Sequence, residues 1–353
     1  MKVDYIIVGA GIAGLSMAHY CKRYNKSFVV IDSSVRTSSK VAGGMFNPVV
    51  LKRFTSIWES EAQLNLANSF YTEVEKMLGN SFYHNLPIHR KFASIEEQNN
   101  WFQACDNPST SVFLNEELYK DTFPHIKSSY YFGEVYQTGF LDVAKYVALY
   151  QNFLTDSELF IRESFVYEDL QLLESSVKYK DISAEQVVFA EGFSLQNNPY
   201  FNYLPLDGTK GELLYVRIPK LKLKVIIKSG VFIIPIGNDI YKVGATYNWF
   251  DKSDDVTNDA YEELIAGLET LLDCEYEVVE HFAGIRPTVK DRRPLVGQHY
   301  ECKNVYVLNG LGTRGVLLGP YLADKLIQNI ENNVPLDRNI DVARYYKKLQ
   351  LIK

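Results

Sequence analysis

The stretch "VDYIIVGAGIAGLS", residues 3–16, constrains the fold more than any other. An apolar run from Val3 to Val8 meets glycines at 9, 11 and 14 in G-x-G-x-x-G order, and the apolar spacing from Ile12 to Tyr20 suits a helix. A second apolar run, "SFVVID", ends in Asp32, which is 32 − 14 = 18 residues beyond the last glycine. Strand, glycine turn, helix, strand and acid in this register predict a βαβ dinucleotide-binding unit. Gly9 permits the tight turn, Gly11 lets backbone approach a pyrophosphate, Gly14 lets helix and strand pack closely, and Asp32 bonds a ribose hydroxyl. Ile12, Ala13 and Ser33 flank these contacts.

The glycine order recurs in "NGLGTRGVLLGP", at Gly310, Gly312 and Gly315. It follows the apolar run "NVYVLN" and precedes a helix predicted over 316–329. Only 353 − 315 = 38 residues follow, and none of them forms a strand ending in an acid, so a second βαβ unit cannot be completed. The start of this helix offers free N–H groups and a positive dipole end, with Gly312, Thr313, Arg314 and Gly315 around it. The expectation is one extended cofactor held from both ends of the chain. The loop "SSVRTSSKVAGGMFNP" supplies a further glycine turn, Gly43-Gly44-Met45, suited to pass beneath a long cofactor; Arg36 and Lys40 either approach its pyrophosphate or stay solvated.

Helical and strand blocks alternate along the chain, which at 353 residues exceeds what one core usually fills. A helix is predicted over 58–78, strands within 206–248, a helix over 258–272 and a strand within 275–287. The net charge, 37 − 43 = −6, argues against nucleic acid as a partner. "KLKLKVIIK" reads as a strand with Lys220, Lys222 and Lys224 on one face, placed there to block edge pairing rather than to meet RNA. The four cysteines form no C-x-x-C and the histidines no ligand spacing, so neither a metal site nor a redox pair is expected. No run of 18 apolar residues suggests a membrane span, and the amino terminus reads as mature protein rather than a signal peptide. A cytoplasmic location is expected.

"YIIVGAGIAG", "VVID", "VAGGM", "AEG" at 190–192, "GTKGELL", "FIIPIGNDIYKVGAT", "GIRPTVKDRRPLVG" and "NGLGTRGVLLGP" resemble, in order and spacing, the FAD-dependent D-amino acid oxidase and glycine oxidase superfamily. The resemblance implies an α/β, two-domain fold. A discontinuous FAD-binding domain of glutathione-reductase type takes 1–80, 140–200 and 282–353; a substrate-binding domain with an antiparallel sheet takes 81–139 and 201–281. It also implies FAD as cofactor, with Gly192 and Val166 among its contacts, and oxidation of the C–N bond of a small amino acid or N-substituted glycine. Hydride would pass to flavin N5, leaving an imine, with O2 or another electron acceptor completing the cycle. Arg286 in "GIRP" matches the family's carboxylate-binding arginine; the competing reading is an ion pair with Asp291. Where family members often carry a carboxylate-gripping Tyr, this chain has Phe232, which puts a standard D-amino acid substrate in doubt and leaves Tyr241 or Tyr247 to replace the hydroxyl. "LGTRG" and "DRRPLVG" look closer to the FAD-dependent oxidase domain of the bacterial tRNA wobble-uridine modification enzyme, which would bring Arg314 near flavin or substrate. That tRNA-modifying activity on a carboxymethylamino group, and a non-catalytic flavin-binding protein, are the alternatives; the amine, the acceptor and the oligomeric state stay open.

Overall fold

A computed structural model describes residues 1–34, 38–39, 41–120 and 123–346. Arg36, Lys40 and the basic tail beyond residue 346 lie outside the described residues.

Two large sheets organise the chain. The first is built on parallel strands in the order Phe160–Ile161, Phe28–Ile31, Lys2–Val8, Ile182–Phe189 and Val305–Asn309. Strands Lys2–Val8 and Phe28–Ile31 are apolar runs buried along almost their whole length, as expected where helices cover a parallel sheet. An antiparallel hairpin, Leu170–Leu172 with Val177–Tyr179, extends the edge, and Leu295–Gln298 pairs with the last strand. Helices Ile12–Arg23 and Gly315–Asn332 pack together against this sheet, so the first and last helices of the fold are neighbours. They approach closely at Gly319, where a Cβ would meet the Ile12 side chain at 2.5 Å.

The second sheet has eight strands, in the order Glu277–Arg286, Thr209–Arg217, Ile240–Gly244, Phe232–Gly237, Ile226–Lys228, Ile88–Lys91, Phe132–Val135 and Leu114–Tyr119. It is antiparallel except where Ile226–Lys228 runs parallel to Ile88–Lys91. One face packs on helix Asn258–Glu269 through Leu214, Val216, Ile227 and Ile233 against Leu264 and Leu268. The other face, carrying Phe232, Ile234 and Ile226, turns toward the first sheet's helices and shares their core.

The strand expected at "KLKLKVIIK" is absent over 219–225: Ile226–Lys228 is a strand, but the segment before it is irregular. Pro219 lacks the N–H a ladder needs, Leu221 turns inward to full burial, and Lys222 pairs with Asp239 at 2.5 Å, so the three lysines present no common strand face. "ESFVYEDL" is likewise no strand; a single helical turn, Tyr167–Asp169, follows Val166.

Candidate active site

The first glycine turn is as tight as its spacing demands. Gly9 adopts φ 106°, and a Cβ there would stand 2.5 Å from the Ala190 carbonyl oxygen; at Gly14 a Cβ would overlap the carbonyl of Gly9 itself. Strand Lys2–Val8, strand Ile182–Phe189 and helix Ile12–Arg23 therefore converge with no room for side chains. A cavity of about 820 Å³ opens at this point, at the carboxyl ends of the parallel strands. Gly9, Gly11, Ile12 and Ala13 line it from the first unit, and Gly312, Thr313 and Gly315 line it from the last. Both glycine sets thus face one space. Asp32 stands on the same wall with its carboxylate oriented by two backbone donors, Ala10 N at 2.7 Å and Ser34 N at 2.5 Å.

Farther along, Gly43, Gly44 and Met45 form another part of the wall, with Gly192 opposite. The Phe232 ring reaches down from the second sheet until its Cζ lies 2.8 Å from where a Cβ on Gly43 would be, so this glycine lets the two sheets meet. A tyrosine at 232 would drive its hydroxyl into that turn, which gives a steric reason for the phenylalanine.

The roof carries Arg286. Its strand pairs with Thr209–Arg217 so that Arg286 faces Thr209 and Gly284 faces Gly211, and Arg286, Gly284 and Gly211 line the cavity. The guanidinium bends back over Gly211, where any Cβ would overlap it. Among the described residues its donors find only carbonyls: Nη1 reaches Lys210 O and Thr246 O, both at 3.3 Å, and Nη2 reaches Thr246 O at 3.4 Å. The Tyr247 ring lies 5.3 Å from the guanidinium carbon. No carboxylate among the described residues pairs with Arg286, and burial holds its pKa below the usual arginine value, only partly offset by Tyr247. Asp291, the acid that a structural ion pair would use, instead accepts from Tyr345 at 2.7 Å and Arg344 at 3.4 Å. Such an arginine, half-desolvated and unpaired, is an anion receptor in waiting.

Several expected positions stand off the wall. Gly14 packs behind the turn, and Ser33 follows Asp32 without reaching the cavity. Val166 is 40% exposed and its amide donates to the Tyr179 hydroxyl, away from the cavity. Arg314 caps the last helix outside the lining; burial and the neighbouring Arg293 and Arg292 lower its pKa. Tyr241 is buried on the far face and donates to Leu221 O, so of the two tyrosines weighed as substitutes only Tyr247 reaches the site.

Glu191 and Gly211 are among the wall residues that the sequence left unassigned. Glu191 accepts from Tyr167 Oη at 2.6 Å and Asn198 Nδ2 at 2.7 Å, and burial, with a smaller push from Asp32, raises its pKa. Its signal is an acid directly after a buried parallel strand, where ligands of open α/β sheets bind. Gly211 was legible as a glycine inside a strand, the usual mark of a close approach. Among the described residues no cluster could hold a metal, and no helix is long and apolar enough to cross a membrane.

An open parallel sheet binds its ligand outside the strands' carboxyl ends, and an extended dinucleotide is the kind of molecule that touches glycine turns from both chain ends at once. The fold and the cavity therefore define a dinucleotide-dependent enzyme with a second sheet closing over the reacting end. The chain belongs to the FAD-dependent oxidoreductase family, whose sequence profile matches residues 4–328. It is 26% identical to the glycine oxidase of Bacillus subtilis (strain 168), over 94% of this chain and 95% of that one. It is 20% identical to the tRNA 5-methylaminomethyl-2-thiouridine biosynthesis bifunctional protein MnmC of Campylobacter jejuni subsp. doylei, over 84% of this chain but 46% of that longer protein. The crystal structure of glycine oxidase from Geobacillus kaustophilus superposes with a TM-score of 0.78 over 95% of this chain and 96% of that one, at 18% identity. FAD is the cofactor, and the glycine cradle, the oriented Asp32 and a cavity lined from both glycine sets fit it.

Proposed function

We propose that the protein oxidises the C–N bond of a small amino acid or N-substituted glycine, releasing an imine. The observation that carries this reading is Arg286, a guanidinium with no acidic partner among the described residues, seated over Gly211 on the roof of the cavity that the glycine turns line. FAD supplies the hydride acceptor. The residues of the chain supply position.

Arg286 takes the substrate carboxylate through two parallel N–H donors, which fixes the amino acid at both distance and angle. Tyr247, at the cavity edge and 47% exposed, stacks on the guanidinium and holds its plane. Phe232 and Leu213 give an apolar roof that keeps water from the carbon losing hydride, while the nitrogen lone pair closes the C=N bond. The amine must be neutral for that step, and fixed cations in an apolar pocket favour the neutral form. At the other end, Asp32 bonds the cofactor's ribose, and Gly11 and Gly315 leave its pyrophosphate and ring system close to backbone. In this assignment the parallel sheet and its helices form the cofactor domain, and the eight-stranded sheet with helix Asn258–Glu269 the substrate domain.

Purified protein is expected to carry flavin that bleaches anaerobically with glycine, sarcosine, proline or a D-amino acid, and O2 or another acceptor restores its colour. Flavin that no amine bleaches refutes the reading.

A further inference from the structure

A second cation lines the same cavity. Lys228 pairs with Phe232, Phe232 with Gly244, Gly244 with Leu213 and Leu213 with Phe282, so these residues form one row across the roof on the face that carries Arg286. The other lysines nearby are compensated. Lys210 meets Asp251 at 2.5 Å and Glu212 at 3.6 Å, Lys252 meets Asp207 at 3.1 Å, and the buried Lys242 lies 5.7 Å from the Tyr215 ring with the charge of Asp142 in its favour. Among the described residues Lys228 has only the Gly230 carbonyl, at 3.1 Å, and its strand neighbour Arg90 is already taken by Glu97 at 2.5 Å. Desolvation, with Arg90 adding repulsion, pushes the Lys228 pKa down to about 8. A half-buried lysine beside another cation, with no carboxylate among the described residues, is a binding point that lacks its anion.

We propose that Lys228 receives a second acidic group of the substrate, so that the amines this site takes best are diacids, with one carboxylate on Arg286 and the other on Lys228. The inference rests on the amine-oxidising reading above. From the strand under the Arg286 guanidinium to the strand of Lys228 is three strand spacings, roughly 14 Å between backbones. The Arg286 side chain has already crossed to Gly211, so the substrate and the Lys228 side chain together must span that gap, and the Phe232 ring lines the cavity on the strand next to that of Lys228.

The test compares sarcosine with iminodiacetate, two N-substituted glycines that differ by one carboxylate, as reductants of the FAD-loaded full chain under anaerobic conditions. Wild type is expected to favour iminodiacetate in kcat/KM by roughly tenfold or more, the scale of one charge-assisted hydrogen bond. In Lys228→Met that preference disappears through KM, and in Lys228→Arg it is retained. Wild type that prefers sarcosine, or a preference that survives in Lys228→Met, overturns the assignment of Lys228 while leaving amine oxidation in place. Flavin left oxidised by both compounds and also by glycine, proline and D-amino acids overturns amine oxidation, and this inference with it.

Discussion

Replacing Arg286 by alanine separates a binding arginine from a structural one, because the two roles predict opposite pairs of results. The guanidinium is held by three long contacts to carbonyls, at 3.3–3.4 Å, and by a ring at 5.3 Å, with no carboxylate among the described residues to lose. Breaking a buried ion pair strands its partner and costs about 3–5 kcal/mol. Here nothing charged is stranded, and a desolvated cation is removed, so the unfolding midpoint should stay within about 2 °C of wild type or rise. Substrate binding should fail, since a bidentate carboxylate forms two charge-assisted hydrogen bonds at about 1.5–3 kcal/mol each. That corresponds to a loss of kcat/KM between roughly 10² and 10⁴. The assay is anaerobic titration of FAD-loaded protein with the amine wild type reduces best, following flavin absorbance, with thermal unfolding of the same sample. Unchanged reduction by Arg286→Ala, or a midpoint lowered by 10 °C or more, would refute the reasoning.

Gly211→Ala is expected to reproduce that loss with FAD still bound, because a Cβ would occupy the place of the guanidinium; substrate kinetics beside the flavin-to-protein ratio check it. Phe232→Tyr should weaken FAD retention several-fold instead of improving substrate grip, since the hydroxyl would enter the Gly43 turn, and flavin fluorescence on dilution reads the release. Asp32→Asn should raise the FAD dissociation constant roughly tenfold to hundredfold by weakening the ribose contact, measured by the same release. His19, 3% exposed, has its pKa lowered to about 4, mainly by burial, although Glu73 lies 3.4 Å away. A depressed histidine leaves stability intact above the unfolded value of 6.5 and removes it as pH falls toward 4. Between pH 7 and pH 5 this contributes a loss on the order of 2 kcal/mol, which urea unfolding should show and His19→Gln should diminish.

Much of the cofactor end was legible because close backbone approach writes glycine into the chain. Gly9, Gly11, Gly43, Gly44, Gly312 and Gly315 stand along one cavity although some 300 residues separate the first from the last. The last helix packs on the first because Gly319 carries no side chain where it meets Ile12. The substrate end was harder to read. Whether a lysine faces cavity or solvent depends on a register that runs across five strands, and no local pattern encodes it: Lys228 emerged only from the pairing, while Lys220, Lys222 and Lys224 looked organised and are not. The segment "ESFVYEDL" misled for a local reason, since a short apolar stretch reads as strand where the chain makes a helical turn, Tyr167–Asp169. Glu191 was overlooked because a single acid beside a glycine carries no spacing of its own.

Charge compensation sorts the roof's basic residues by role. Lys210 and Lys252 tie the segment 248–257 to the sheet through Asp251, Ser253 and Asp207, and Thr257 caps the helix beyond while bonding Glu212, so these groups find their partners inside the fold. That anchored segment directly follows Thr246 and Tyr247, which hold the Arg286 guanidinium from below and from the side. Evenly paired charges thus make a rigid frame, and the cations left without a carboxylate stand where a ligand can complete them. A frame tied through Lys210 should therefore transmit its loss to Arg286: Lys210→Met frees Asp251, leaves Glu212 to Thr257 and His281 alone, loosens the segment that follows Thr246, and raises KM for the amine even though the Lys210 side chain faces away from the guanidinium. If KM stays unchanged in a folded Lys210→Met protein, the arginine is held by its own strand alone and the frame has no part in substrate binding.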